Sequence, residues 1–262
     1  MSNPKQWFPL ESNPNVMNRY MKRLGMNVEE YSFHDVFSTE DWALEMVPKP
    51  VIGVLMLFPI TMDEEDFSQQ QQDQITANGQ IVSDKVHFIK QTIGNACGTI
   101  GLLHSIVNAH DYHSDNLFAA DSYLSNFIQT TKSLDPESIA DYLEDDEELE
   151  CTHVEAAEEG QTEAIMDVET HFICFSKVDG HLYEFDGRKN FPINHGATTT
   201  ESLLEDSCRV IKQFMDRQPG ELRFTMVALC KAPPAEPVED DEEDEDEEGE
   251  EGDAAVEPEA EQ

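Results

Sequence analysis

A mixed α/β domain is what three stretches of this 262-residue chain predict. The run VIGVLMLF, Val51 to Phe58, is apolar throughout and β-branched at its start, the pattern of a strand buried on both faces. From Cys97 onward, Ile100, Leu102, Leu103, Ile106 and Val107 recur at three- and four-residue steps, as a buried helix requires. The stretch His171 to Phe185 alternates on both sides of Asp179-Gly180, which marks a hairpin with a two-residue turn.

The other elements follow in chain order. Asn13-Pro14 opens a helix from Val16 to Leu24, closed by Gly25. Ser38 with Asp41 forms a capping box before a short helix from Trp42 to Met46, which Pro48 and Pro50 end. The first fifty residues therefore read as helix, link and helix. Thr61 to Asp84 is polar, with glutamines at Gln69 to Gln72, and reads as an exposed helix or linker. Asn116 to Lys132 and Pro136 to Leu149 are amphipathic helical patterns, the second capped by Asp135. Their aromatics, Phe118, Tyr123, Phe127 and Tyr142, are expected in the core. Glu150 to Thr170 lacks a sustained apolar period, so it reads as a long connection, either a functional lid or a disordered link. A helix from Glu201 to Arg217 and a strand from Arg223 to Leu229 complete the folded part.

Charge narrows the function classes. The formal net charge is −40, and 17 of the 56 acidic residues lie after Lys231 with no basic residue among them. The remaining 39 acidic against 16 basic residues still leave the body at −23, which repels nucleic acid and anionic lipid and attracts a basic protein. Residues 233–262 have almost no apolar content and are expected to be a disordered acidic tail. Five cysteines without CxxC spacing argue against a disulfide framework or a zinc site and fit a reducing compartment. The opening MSNPKQWFPLESNPN has no apolar h-region, and the longest apolar run, Val51 to Ile60, is too short to cross a bilayer. A soluble intracellular protein is expected, with no internal repeats.

Two stretches carry chemistry. Cys97 lies between a small residue and a glycine at a helix start, where the dipole favours a thiolate, the nucleophilic form. Asn95 is the expected N-cap, and Gln91, six residues upstream of Cys97, can offer an amide to an oxyanion. In the hairpin, pairing Val178 with His181 puts Ile173 opposite Asp186 and His171 opposite Arg188. His171 and Asp186 then become diagonal neighbours on one face. That is an imidazole oriented by a carboxylate, the support a general base needs. Each has a plainer reading, namely an inert core cysteine and a polar cross-strand pair. His195, in a turn beside Gly196, is a weaker candidate base, and His104 lies two helical turns from Cys97, too far to activate it. Cys151 and His153 are close in sequence, but flexible acidic surroundings argue against a dyad.

These residues match a known family. NACGTIGLLHS with its upstream Gln91, and HFICFSKVDGHLYEFDGRKNFPINHG, strongly resemble the small single-domain ubiquitin carboxyl-terminal hydrolases. WFPLESNP, VPKPVIGVLMLFPIT, EGQTEA and ELRFTMVAL fall in the same order, so the resemblance covers about residues 5 to 231. It implies a papain-like α/β sandwich of the α+β kind: a central antiparallel sheet flanked by helices, with a knotted backbone and a crossover loop at about 150–170. It implies a catalytic domain at 1–231, ahead of the acidic tail that small members lack. Carried over residue by residue, Cys97 is the nucleophile, His171 the general base and acid, Asp186 its orienting partner and Gln91 the oxyanion donor. The implied activity is a monomeric cysteine-type deubiquitinase that cleaves at the terminal glycine of ubiquitin or ubiquitin-like proteins. It would favour small or unfolded leaving groups and need no metal or organic cofactor. A cytoplasmic or nuclear setting is expected. The competing reading is a protein that binds and stabilises free ubiquitin with little turnover, and a third makes the tail a docking segment for basic proteins.

Overall fold

The computed structural model describes residues 5–161, 165, 166 and 168–232. Helix α1 (Pro14–Arg23) starts at Asn13, whose side chain accepts from Asn15 N, and gives way to Gly25 at φ 103°. Strand β1 (Tyr31–Asp35) and the short α2 (Asp41–Leu44) follow. The link expected in the first fifty residues thus contains a strand. Tyr31 and Phe33 are its buried alternate positions. Ser38 does not box with Asp41; its hydroxyl accepts from Glu40 N instead.

Strand β2 (Val51–Pro59) is buried on both faces along almost its whole length, as expected. The glutamine-rich stretch is a helix, α3 (Met62–Asn78), capped by Thr61, and its buried residues are the polar Glu64 and Gln72. Next come α4 (Cys97–Val107), the short α5 (His110–His113), α6 (Tyr123–Thr131) and α7 (Pro136–Glu144). Asp135 caps α7 by accepting from Ser138 N, as expected. The helix read from Asn116 begins only at Tyr123, because Asn116 and Asp121 take positive φ and break the run. Of the four aromatics assigned to the core, Phe127 is fully buried and Tyr142 is exposed.

The long connection expected over 150–170 is helical through its first half, as α8 (Glu147–Glu158). Asp146 caps it, and it buries Leu149, His153, Ala156 and Ala157, an i, i+4, i+7, i+8 stripe. The chain then enters β3 (Thr170–Val178), β4 (His181–Phe185), β5 (Ile193–Ala197), α9 (Leu203–Arg217) and β6 (Thr225–Lys231). His195, placed in a turn from the sequence, lies on β5. The acidic segment 233–262 lies outside the described residues.

The six strands form one antiparallel sheet in the order β1-β6-β2-β3-β4-β5. Alternate residues point to opposite faces. Ile52, Leu55, Phe172, Val227 and Leu229 join one core with α1, α4, α6, α7 and α8. Val54, Met56, Phe58, Ile173, Phe175 and Met226 join the other with α9. Among the described residues, no helix is long and apolar enough to cross a membrane.

Candidate active site

Two glycines set the site by letting α4 lie directly on the sheet. A Cβ at Gly98 would sit 2.9 Å from Leu10 Cβ and 3.4 Å from Phe172 Cδ2, and one at Gly101 would sit 3.3 Å from Leu55 Cδ2. This close approach brings the start of α4 to the start of β3, so Cys97 meets His171. The start of α4 carries no side-chain cap. Asn95 is not the N-cap expected of it. It adopts φ 60°, and its amide donates to Trp7 O at 3.1 Å and to Met166 O at 2.9 Å. The first-turn amides of α4 therefore stay open toward the sulfur.

The hairpin has the register read from the sequence, with Val178 opposite His181 and Cys174 opposite Phe185. His171 donates through Nε2 to Asp186 Oδ1 at 2.7 Å, which leaves its other ring nitrogen for the hydrogen bond with Cys97. Asp186 Oδ1 also accepts from Arg188 N at 2.9 Å, so the turn itself aims the carboxylate. All three side chains are nearly buried.

Their charges reinforce one another. Burial pushes the Cys97 thiol up, but the hydrogen bond and charge of His171, with the amides of Phe172 and Gly98, outweigh it and hold the thiol below its ordinary value. For His171, burial acts against the charged form, yet the charge and hydrogen bond of Asp186, then Cys97, hold it well above the ordinary imidazole range. Burial would raise Asp186, but His171, Lys189 and the Arg188 amide keep it far below the usual carboxylate range. The arrangement favours thiolate and imidazolium together.

Gln91, in the segment before α4, is held against the turn that carries Asp186. Its N–H donates to Gly187 O at 2.9 Å, and a Cβ on Gly187 would lie 2.9 Å from Gln91 Cβ, so only glycine admits this contact. The Gln91 side-chain amide donates to Ile93 O at 3.1 Å, while Oε1 is buried without a partner among the described residues.

The other histidines fall away from the thiol. His104 is fully buried, accepts from Ile89 N through Nε2, and is pushed by burial down to about 3. His195 donates to Glu184 Oε2 at 2.9 Å. His153 is buried rather than flexible. Its Nδ1 takes the Thr99 hydroxyl at 2.7 Å, and its Nε2 donates to Phe8 O at 2.7 Å. It is no dyad partner of the exposed Cys151, because both its nitrogens are engaged in the core. Sequence reasoning missed the buried pair Glu184–Lys189, at 2.5 Å beside Asp186. A signal existed: Glu184 alternates with Leu182 on a buried face, where a carboxylate needs a cation. Among the described residues no cluster of His, Cys, Asp and Glu has the arrangement of a metal site.

The chain is similar to known proteins in sequence and in fold. The profile of the family described as ubiquitin carboxyl-terminal hydrolase, family 1, matches residues 7–216. Ubiquitin carboxyl-terminal hydrolase 3 of Arabidopsis thaliana is 46% identical over 230 residues, covering 88% of this chain and 96% of the relative. Isozyme L1 of Rattus norvegicus is 44% identical over 224 residues, covering 86% of this chain and 98% of its own. The fold is also that of the Trichinella spiralis UCH37 catalytic domain, solved bound to ubiquitin vinyl methyl ester. That match has a TM-score of 0.67 at 22% identity and covers 86% of this chain and 96% of that one.

Proposed function

The chain belongs to the ubiquitin carboxyl-terminal hydrolase family, and from that membership and the site geometry we propose how it works and on what. It is a cysteine-type ubiquitin carboxyl-terminal hydrolase. Its nucleophile is Cys97, its general base and acid His171, its orienting carboxylate Asp186 and its oxyanion donor Gln91. The observation that carries this reading is the buried chain of hydrogen bonds from Cys97 through His171 to Asp186.

In the reaction, the Cys97 thiolate attacks the carbonyl of the terminal glycine of ubiquitin. The Gln91 amide turns from Ile93 O toward the oxyanion, joined by the open amides at the start of α4. The His171 imidazolium gives its proton to the leaving amine, then draws one from the water that releases ubiquitin. Asp186 holds the ring for both transfers. No cofactor enters these steps.

The protein works as a monomer on ubiquitin or a ubiquitin-like protein, in the cytoplasm or nucleus, with no part for nucleic acid or membrane. The domain of about 1–231 does the chemistry. The body's charge of −23 suits a basic substrate tail and speeds encounter more than it tightens binding.

The connection after α8 narrows the choice of leaving group. Glu159 is tied to Arg19 at 2.7 Å and to Arg23, and Gln161 N donates to Glu11 Oε2 at 2.5 Å. Met166 O is held by Asn95, two residues before the nucleophile. From these described ends, one of them held by the residue two before Cys97, we infer that the site admits thin leaving groups. The test compares ubiquitin carrying a short unstructured C-terminal extension with folded di-ubiquitin. Rapid release of the extension with di-ubiquitin left intact is expected, and equal rates on both would overturn the restriction.

A further inference from the structure

Helix α3 is an anomaly in this fold. Its buried residues are a carboxylate and an amide, Glu64 and Gln72, so apolar packing does not explain why it lies where it does. Glu64 anchors it to α9 through a two-pronged pair with Arg217 at 2.8 and 2.9 Å. Its other grips on the fold centre on the turn that follows β4. Glu65 takes Arg188 at 2.9 Å, Gln71 Oε1 takes Lys189 Nζ at 3.1 Å, and Gln72 Oε1 takes both Asn190 N at 2.9 Å and Asn190 Nδ2 at 3.2 Å. Three consecutive residues of one turn are held by one helix, and that turn begins at Asp186.

Lys189 is the hub of these contacts. Its ammonium is 5% exposed, bonds Glu184 and Gln71, and stands beside Asp186, while its own N–H donates to Asp186 O at 3.0 Å. Glu184, 1% exposed, completes the group by taking His195 on its other oxygen. A buried pair of this kind adds little net stability against an apolar isostere. Its placement instead sets both the position and the electrostatic surroundings of the Asp186 carboxylate. A cavity of about 210 Å³ lies between α3, α9 and the His171–Asp186 pair, and Arg188 and Lys189 of the turn line it.

We propose that Lys189, held by Gln71 of α3 and paired with Glu184, with its neighbour Asn190 clamped by Gln72, is a positioning residue that fixes the turn delivering Asp186 to His171. The proposal rests on the assignment of Asp186 as the orienting carboxylate. It accounts for the glutamine-rich stretch, because α3 holds the catalytic turn.

The test is a double-mutant cycle against Asp186→Asn, on a fluorogenic ubiquitin C-terminal amide. The paired change Lys189→Met with Glu184→Gln removes both buried charges together, leaving neither stranded, and Gln72→Ala breaks the Asn190 clamp without touching a charge. Each is expected to lower kcat about tenfold or less with KM within about twofold of wild type, the size of effect a small misplacement of a catalytic group produces. In the Asp186→Asn background neither change should lower kcat further. A purely structural role would lower the melting temperature and multiply with Asp186→Asn, and that outcome overturns the proposal, as does full kcat in both single-background variants. If the paired variant does not fold, the Gln72→Ala cycle decides by the same criterion. Should Asp186→Asn itself keep full activity, the site assignment fails and the clamp fails with it. Loss on Asp186→Asn with multiplicative effects fails the clamp alone.

Discussion

Cys97 is one of five cysteines, and its surroundings set it apart. Cys174, Cys208 and Cys230 are buried among apolar groups that push their thiols up to about 12, whereas Cys97 is held low by His171. Iodoacetamide alkylation followed by peptide mapping across pH should therefore find Cys97 reacting well below the ordinary thiol range. With His171→Gln its midpoint should rise, because the adjacent opposite charge and its hydrogen bond are removed. A wild-type midpoint near 8.5, the ordinary value, would contradict the thiolate–imidazolium pair. At this scale the sequence was informative wherever a rule of local geometry applied. The two-residue turn set the hairpin register, and the register alone brought His171 and Asp186 together. It failed for Asn95, whose left-handed backbone turns its side chain away from the helix it precedes. It was silent on Lys189, whose partners Gln71 and Glu184 come from separate elements.

Among the elements, α4 matters most because it carries the nucleophile and touches both β2 and β3. Gly98 and Gly101 are on its sheet-facing side for a steric reason, and they differ. A methyl at Gly98 meets Leu10 close to the backbone, while one at Gly101 meets the far end of Leu55 at 3.3 Å and Phe172 Cβ at an ordinary 3.7 Å. Gly98→Ala should therefore lose roughly 1–3 kcal/mol through overpacking and lower kcat as Cys97 shifts from His171. Gly101→Ala should come close to neutral, because the gain in helix propensity of about 1 kcal/mol offsets a mild contact. Urea unfolding with steady-state kinetics checks both, and a fully active, stabilised Gly98→Ala would contradict the packing argument. The elements that escaped sequence reading share a cause. The buried stripe of α8 consists of one leucine, two alanines and a histidine, too little large apolar surface to register as a helical period. Strands β1 and β5 are short edge strands, and INHGA shows no apolar alternation at all. The polar α3 reads from the sequence as either an exposed helix or a linker, and what it holds depends on contacts across more than a hundred residues of chain.

For the whole molecule, the sheet joins distant parts of the chain: β1 pairs with β6, and β2 lies between β6 and β3. Periodicity finds strands but carries no information on such long-range neighbours, so the strand order was not legible, whereas the antiparallel hairpin of β3 and β4 was. A second property of the whole is its set of buried neutral histidines. Burial pulls His87 and His153 down to about 4 and His104 to about 3. Each lies below its value of about 6.5 in the unfolded chain, so the unfolded state binds more protons between those limits. The stability they confer is complete above about pH 6.5 and falls as the pH drops toward 4. Unfolding in urea at pH 7 and at pH 5 should show a loss of roughly 2 kcal/mol per histidine by linkage. Equal stability at both pH values would contradict the neutral, buried state assigned to them. Glu184, held by Lys189 and His195 against its burial down to about 2, acts in a separate window. Its stabilisation is full above the ordinary carboxylate range and fades as the pH falls toward 2.

Hydrolysis of a fluorogenic ubiquitin C-terminal amide by the wild-type chain and by Cys97→Ser tests the central claim most directly. The account predicts turnover by the wild type and none by Cys97→Ser, with both still binding ubiquitin. A wild type that binds ubiquitin without turning it over, or a Cys97→Ser variant that retains the wild-type rate, would contradict it.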